Sequence, residues 1–358
     1  LVENFNVNGT IEPSADASNA IYISPNAYVK NINIQKDAKI DGAIVSRWNS
    51  ERSGDYGPVQ SRNKLYTDIN FGADNNGNLD SDYAGEFNST IDGDSVVEGE
   101  TKNTLRMNLS GTLNMNRADI NVYNINNSGT INVNREVTLS SLNKQNSING
   151  DGNINVASAG TLTLGKNTQT VANNINLASN AELSTINESK DSHTIKQLNS
   201  ESDSKLSFDL GDAFNLQNTN GTGVKLSQVK VDEETVKNLE DGQTYRIFQD
   251  ESEVLDLSGG ANVYYAGNKY GISQDSEDSK LLKVNWLGYS SGLREAAQDE
   301  TAANYINTEN PQPYDGGTVA GNTFEVSGLD VNFDKKYDGL IIDGTSNPGG
   351  TTIKTSFY

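Results

Sequence analysis

Short apolar doublets that recur about every twenty residues constrain this chain more than any other feature. TINVN at Thr130–Asn134, NINVA at Asn153–Ala157 and NINLA at Asn174–Ala178 start at residues 130, 153 and 174, so their offsets are 23 and 21. A second set reads GTLNMN from Gly111, GTINVN from Gly129 and GTLTLG from Gly160, and AELST at Ala181–Thr185 answers the LTL of Leu162–Leu164. NINIQ at Asn31–Gln35 and DINVY at Asp119–Tyr123 share the pattern. In Ile131-Asn132-Val133 the two aliphatics point to one side of a strand and the asparagine to the other. One such doublet cannot bury itself. Stacked on equivalent doublets above and below, it becomes one layer of a continuous aliphatic column.

That geometry selects among repeat folds. A leucine-rich repeat needs a recurring LxxLxL frame, and helical repeats need apolar spacings of three and four; neither is found. The expected fold is all-β: a right-handed parallel β-helix of ~20-residue coils with a C-terminal mixed helix and antiparallel-strand cap. With coils roughly 4.8 Å apart, ten of them make a rod of roughly 50 Å. NNSG at Asn126–Gly129, NGDG at Asn149–Gly152 and Asp92-Gly93 are expected to turn the corners with residues that tolerate positive φ. Asparagines stacked on asparagines are expected to form amide ladders. Sequons at Asn88 and Asn108 are expected as chance matches in such a composition.

Composition bears on whether the chain orders and on what it binds. Apolar residues are 34% and the formal charge is −21, which favours disorder. The in-phase alternation, the many β-branched residues, 15 Tyr and only 6 Pro favour order. The charge argues against nucleic acid or an anionic lipid surface as partner. There is no cysteine, so packing and hydrogen bonds must hold the fold without disulfides or thiolate metal sites. No apolar run approaches the ~20 residues of a membrane-spanning helix, and no signal-peptide pattern opens the chain. The start in mid-strand, LVENFNVNG, suggests a processed or excised fragment.

Three regions are expected. Residues 1–204 carry the coils, with inserted loops at about 46–66 and 73–90. Residues 205–290 hold the last coil and a cap. There VDEETVKNLEDG reads as a short helix N-capped by Asp232 and stopped by Gly242, and NVYYAGNKYGIS as a hairpin turning at Ala266–Asn268, between the strands QTYRIFQ and KLLKVNWL. Residues 291–358 contain a helix candidate, SSGLREAAQDETAANYI, and the strands TFEVSGLDVNF and DGLIIDG, either starting a second β-helix or continuing the cap.

The stacked GTLNMN, GTINVN and GTLTLG phrases, followed by YRIFQ, VYYAGNKYGI and KVNWL, resemble the passenger domains of bacterial autotransporters and related large surface adhesins, over roughly Leu1–Leu287. IDGAIVSRWNSERSGDYGPVQ and YTDINFG, within Ile40–Gly72, are similar to a segment of passengers that carry a subtilisin-like protease upstream. GLREAA resembles the helix that opens some tandem β-helix adhesins. The resemblance implies export across two membranes, a β-barrel anchor downstream and display at the cell surface, where a chain without cysteine is usual. Barrel strands and protease motifs are lacking, so the chain reads as a passenger segment whose only membrane association would be through a missing C-terminal β-barrel.

Chemistry is sparse. The single histidine, His193, has no G-x-S-x-G elbow, and an exposed loop on a coil is its expected setting. One His and no Cys exclude the usual zinc sites. Arg117, Asp119 and Arg135 are the candidates for a polysaccharide-cleaving cluster on adjacent coils, with a solvated charged face as the expectation. Asp74, Asp80, Asp82 and Glu86 offer calcium-suited oxygens, but an EF-hand counted from Asp74 would need glycine where Leu79 stands, and a flexible surface loop is expected. No catalytic residue, cofactor or metal is assigned. Residues 48–63 interrupt the coils, and Arg47, Trp48, Arg52, Tyr56 and Arg62 are the candidate partner-binding residues; Trp48 either takes part or packs down. The expected function is a non-catalytic adhesin or elongated display scaffold, extracellular or on the bacterial surface, with a host-cell or bacterial surface protein or glycan as partner. The alternatives are a β-helix polysaccharide-degrading enzyme and the accessory portion of an autotransported subtilisin-like protease.

Overall fold

The structure, a computed structural model, describes residues 1–49, 65–97, 99–221, 223–265 and 268–289, with short strands beyond them. It is nearly all β, with a large parallel sheet of many strands, consistent with a parallel β-helix. By its internal contacts the chain divides into two compact units, one of residues 1–227 and 246–258, the other of 228–245 and 259–358.

The first unit is a stack of rungs in three parallel series. One runs through Val2–Val7, Val29–Ile34, Thr67–Phe71, Leu105–Leu109, Asn124–Asn127 and Ile148–Asn149, placing Phe5, Ile32, Ile69, Met107, Ile125 and Ile148 in one column. A second stacks Thr112–Met115, Thr130–Val133, Asn153–Val156, Asn174–Leu177 and Gln197–Ser200. Its inward column, Leu113, Ile131, Ile154, Ile175 and Leu198, is buried throughout. The third aligns Ile44, Ile91, Ile120, Leu139 and Leu164, and beside them Val137, Leu162, Leu183 and Leu206. These columns replace a thick core, since each rung is half-finished until its neighbours close over its aliphatics. Parallel pairing extends past residue 205, through Val224–Lys225 to Leu257–Ser258.

The doublets pair as their spacing predicts, with one correction. GTLNMN and GTINVN stack, Leu113 on Ile131 and Met115 on Val133, but Leu162 of GTLTLG pairs with Val137, in the third series. The phrase marks the start of a strand after a corner, and two different corners share it. The corner glycines also need correction. Gly150 has φ +91°, but Gly93, Gly129 and Gly152 have no positive φ. Gly129 and Gly152 are required by space: a Cβ on Gly129 would lie 2.0 Å from the Gly111 carbonyl oxygen, and one on Gly152 2.4 Å from that of Gly129.

An antiparallel sheet orders Thr244–Arg246, Leu281–Tyr289, Asn268–Gln274 and Ala261–Tyr265, all but Arg246 being residues of the second unit. Ile272, Leu282 and Val284 fill its core. The expected hairpin is present, and so is the short helix, Glu233–Val236, whose Asp232 cap accepts a 2.7 Å hydrogen bond from the Thr235 amide. Most of the helix candidate after residue 289 lies outside the described residues. Its end is a strand instead, Tyr305–Asn307, paired in parallel with Gly339–Ile341.

Candidate functional site

Along the rungs, and across the insertions between them, the outward asparagines bond to one another. In the first series Asn33, Asn70, Asn108, Asn126 and Asn149 each donate Nδ2–H to the Oδ1 of the asparagine one rung earlier, at 2.8, 2.8, 2.8, 2.7 and 3.1 Å. In the second series Asn132, Asn155, Asn176 and Asn199 do the same at 2.8, 3.1, 2.8 and 2.6 Å. The sequence separations along the first ladder, 27, 37, 38, 18 and 23 residues, locate the interruptions in its early coils.

One interruption begins at Arg47. Its guanidinium donates to the carbonyls of Ser46, Asp92 and Asp94 and to the Asp92 carboxylate at 2.5 Å, so it clamps the base of a hairpin formed by Asp94–Val97 and Glu100–Asn103. Trp48 packs down: it is 2% exposed and tilts against Tyr28 at 5.1 Å. Any partner contact in this region therefore falls to other side chains, such as Val96, 64% exposed on the hairpin. The Tyr28 hydroxyl donates to the Tyr66 carbonyl, and Tyr66 lies 4.5 Å from Tyr123, so aromatic packing fixes both ends of the insertion. Burial, and then the hydrogen bond with Tyr123, push the Tyr66 phenol up to about 12. Arg52, Tyr56 and Arg62 lie outside the described residues.

The acidic segment is a built turn rather than a flexible loop. Asp74 Oδ1 accepts from the amides of Asn76 and Asn78, and Oδ2 from Asn78 Nδ2. These bonds, the Asn78 side chain foremost, hold the carboxyl below the usual range. Asp80 caps the Asp82 amide, Tyr83 is buried with its phenol pushed up to about 12 by that burial, and Ala84–Glu86 joins the second series of rungs. Among the described residues no three carboxylate or imidazole groups converge as a metal cluster. The turn covers the first ladder instead, since a Cβ on Gly77 would lie 3.4 Å from Asn33 Oδ1 and 3.5 Å from Asn70 Nδ2.

The candidate catalytic cluster is brought together only in part. Arg117 and Asp119 line an open groove of about 680 Å³ with Glu136, Thr138, Thr161 and Thr163, while Arg135 is exposed and does not line it. Burial, then the charge of Asp92, raise the Asp119 carboxyl above its ordinary value. The Arg117–Glu136 pair, 3.9 Å apart and largely exposed, contributes little. Glu136 and Asp92 were not singled out by sequence, because only the register places them there.

His193 is not an exposed loop residue. It lies on strand Ser192–Ser200, fully buried and stacked 5.4 Å from Phe214. Its Nδ1 lies 3.1 Å from the Thr168 carbonyl, and Nε2 is unpartnered, 3.9 Å from an Asp212 carboxylate that already accepts from Thr185 and the Asp191 amide. In period-two alternation His193 takes an inward position with Ile195, a signal the sequence does contain.

These features define the chain only at the level of a nearly all-β protein with a large parallel sheet. Comparison with protein-family models, curated proteins and solved structures gave no match.

Proposed function

We propose that the first unit is a right-handed parallel β-helix, and that the chain is a non-catalytic segment of a secreted or surface-displayed bacterial protein, acting as an adhesin or an elongated display scaffold. The observation that carries this reading is the division of labour along the rungs. Regular rungs commit their side chains to columns and ladders, while the insertion after Arg47 and the hairpin beside it are anchored at one place, as a recognition surface on a rigid scaffold requires. The right-handed sense rests on the crossover preference of parallel strands. The partner is a surface protein or glycan. A binding screen against cell-surface proteins and glycans tests this, repeated with residues 51–62 replaced by a short linker and with Val96→Asp. Both changes weaken binding of a surface protein or a charged glycan under this reading; strong binding of such a partner that survives both refutes it.

One observation favours a second reading, a polysaccharide-cleaving enzyme. Asp119, held above its ordinary pKa and facing a groove shared with Arg117 and Glu136, has the character of a general acid. Turnover of a polysaccharide that disappears in Asp119→Asn supports that reading over the first.

A further inference from the structure

The second ladder lies in the open. Asn132, Asn155, Asn176, Asn199 and Asn220 form the floor of a groove of about 520 Å³, flanked by Asn134, Ala157, Ala178 and Glu201. An amide offers two N–H donors and two lone pairs. Asn155 and Asn176 each use one N–H and one lone pair within the ladder, leaving one donor and one acceptor per rung toward the groove. All the ladder bonds run the same way, each amide donating to the rung before it, so the row is polarised along its length.

The chemistry of a complementary ligand follows. It must supply a donor and an acceptor at each step, which a hydroxyl does. It must be linear, and its repeat must match the rung spacing of roughly 4.8 Å. An extended polypeptide advances roughly 3.3 Å per residue and falls out of step, whereas an extended chain of pyranose sugars advances by close to one rung per residue. It must not be anionic, because among the described residues no cation lines the groove and the one charged lining residue is Glu201, which accepts from the Ser179 amide at 3.0 Å. An apolar ligand would strip water from the remaining amide groups without replacing their hydrogen bonds. We propose that this groove binds a neutral, unbranched polysaccharide laid along the stack, one sugar per rung and in one direction. The site is separate from the insertion after Arg47 and does not depend on the adhesin reading.

The test uses the full chain with neutral β-1,4-linked gluco- and manno-hexasaccharides as probes, an oligogalacturonate as the charged control, and the matching disaccharides. At least one neutral hexasaccharide is expected to shift the side-chain amide resonances of Asn132, Asn155, Asn176 and Asn199, and to bind at least tenfold more tightly than its disaccharide or the charged control. Ala157→Trp with Ala178→Trp, which fills the groove and leaves the ladder residues in place, is expected to weaken binding at least tenfold. Replacing residues 51–62 is expected to leave it unchanged. Wild-type amide resonances that stay still for every neutral hexasaccharide overturn the proposal, whatever the fate of the filled variant. So does hexasaccharide binding that survives in a folded filled variant.

Discussion

The two asparagine ladders are built from the same residue at the same kind of position, yet they meet different surroundings. In the first, Asn33 is fully buried and Asn70 is 5% exposed beneath the Asp74–Leu79 turn. In the second, Asn132, Asn155 and Asn176 are partly exposed and floor an open groove. A buried amide must satisfy its capacity inside the protein, whereas a half-exposed one can leave part of it to water or a ligand. Asn108, Asn126 and Asn149, which continue the first ladder, are partly exposed like the second, so the turn, rather than the repeat, decides which stretch of a ladder is purely structural.

The largest expected effect falls on the corner that joins the two faces. Gly129→Ala forces a Cβ against the Gly111 carbonyl and should cost about 3 kcal/mol, read from the urea midpoint by the fluorescence of Trp48 in a Trp286→Phe background. Breaking the covered part of the first ladder comes next. Asn70→Ala leaves the fully buried Asn33 Oδ1 without its rung partner, at about 2 kcal/mol, while the half-buried Asn108 keeps its bond to Asp68. The matching change in the open ladder, Asn155→Ala, should cost less than about 1 kcal/mol because water replaces the lost amide. Equal losses for Asn70→Ala and Asn155→Ala would erase the distinction between the ladders.

The gentlest probe is acid. Asp74 holds the covering turn closed, and its folded-state pKa lies below the unfolded value, its strongest bond coming from the Asn78 side chain. Its contribution is therefore present above the unfolded value and lost as pH falls through the folded one. Protection of the Asn76 and Asn78 amides, relative to the unstructured exchange rate at each pH, should hold down to the ordinary carboxylate range and fall only below it. Asp74→Asn should remove that protection already at neutral pH.

Much of this arrangement is legible in the sequence. The pairings of Ile131 with Ile154, of Ile154 with Ile175 and of Leu162 with Leu183 follow from spacing alone, because a parallel register must match aliphatic to aliphatic. The ladders follow from the same register. Other features depend on what lies across the stack. GTLTLG joins a different column from GTINVN because two corners begin with the same residues. The inward phase of His193 is written in the alternation with Ile195, but its stacking on Phe214, like the packing of Trp48 against Tyr28, depends on strands distant in sequence. The acidic turn reads as a loop of calcium-suited oxygens, and only the fold sets Gly77 over Asn33 and Asn70. The groove was not legible, because an open row of asparagines and a covered one are written alike.

Side-chain amide hydrogen exchange, resolved by NMR for individual asparagines, tests the central distinction most directly. Both Nδ2 protons of Asn33 and Asn70 should exchange slowly. Asn155 and Asn176 should each show one protected proton, held in the ladder, and one that exchanges rapidly with solvent. If the four residues exchange alike, whether all protected or all fast, the covered and open ladders are not physically different.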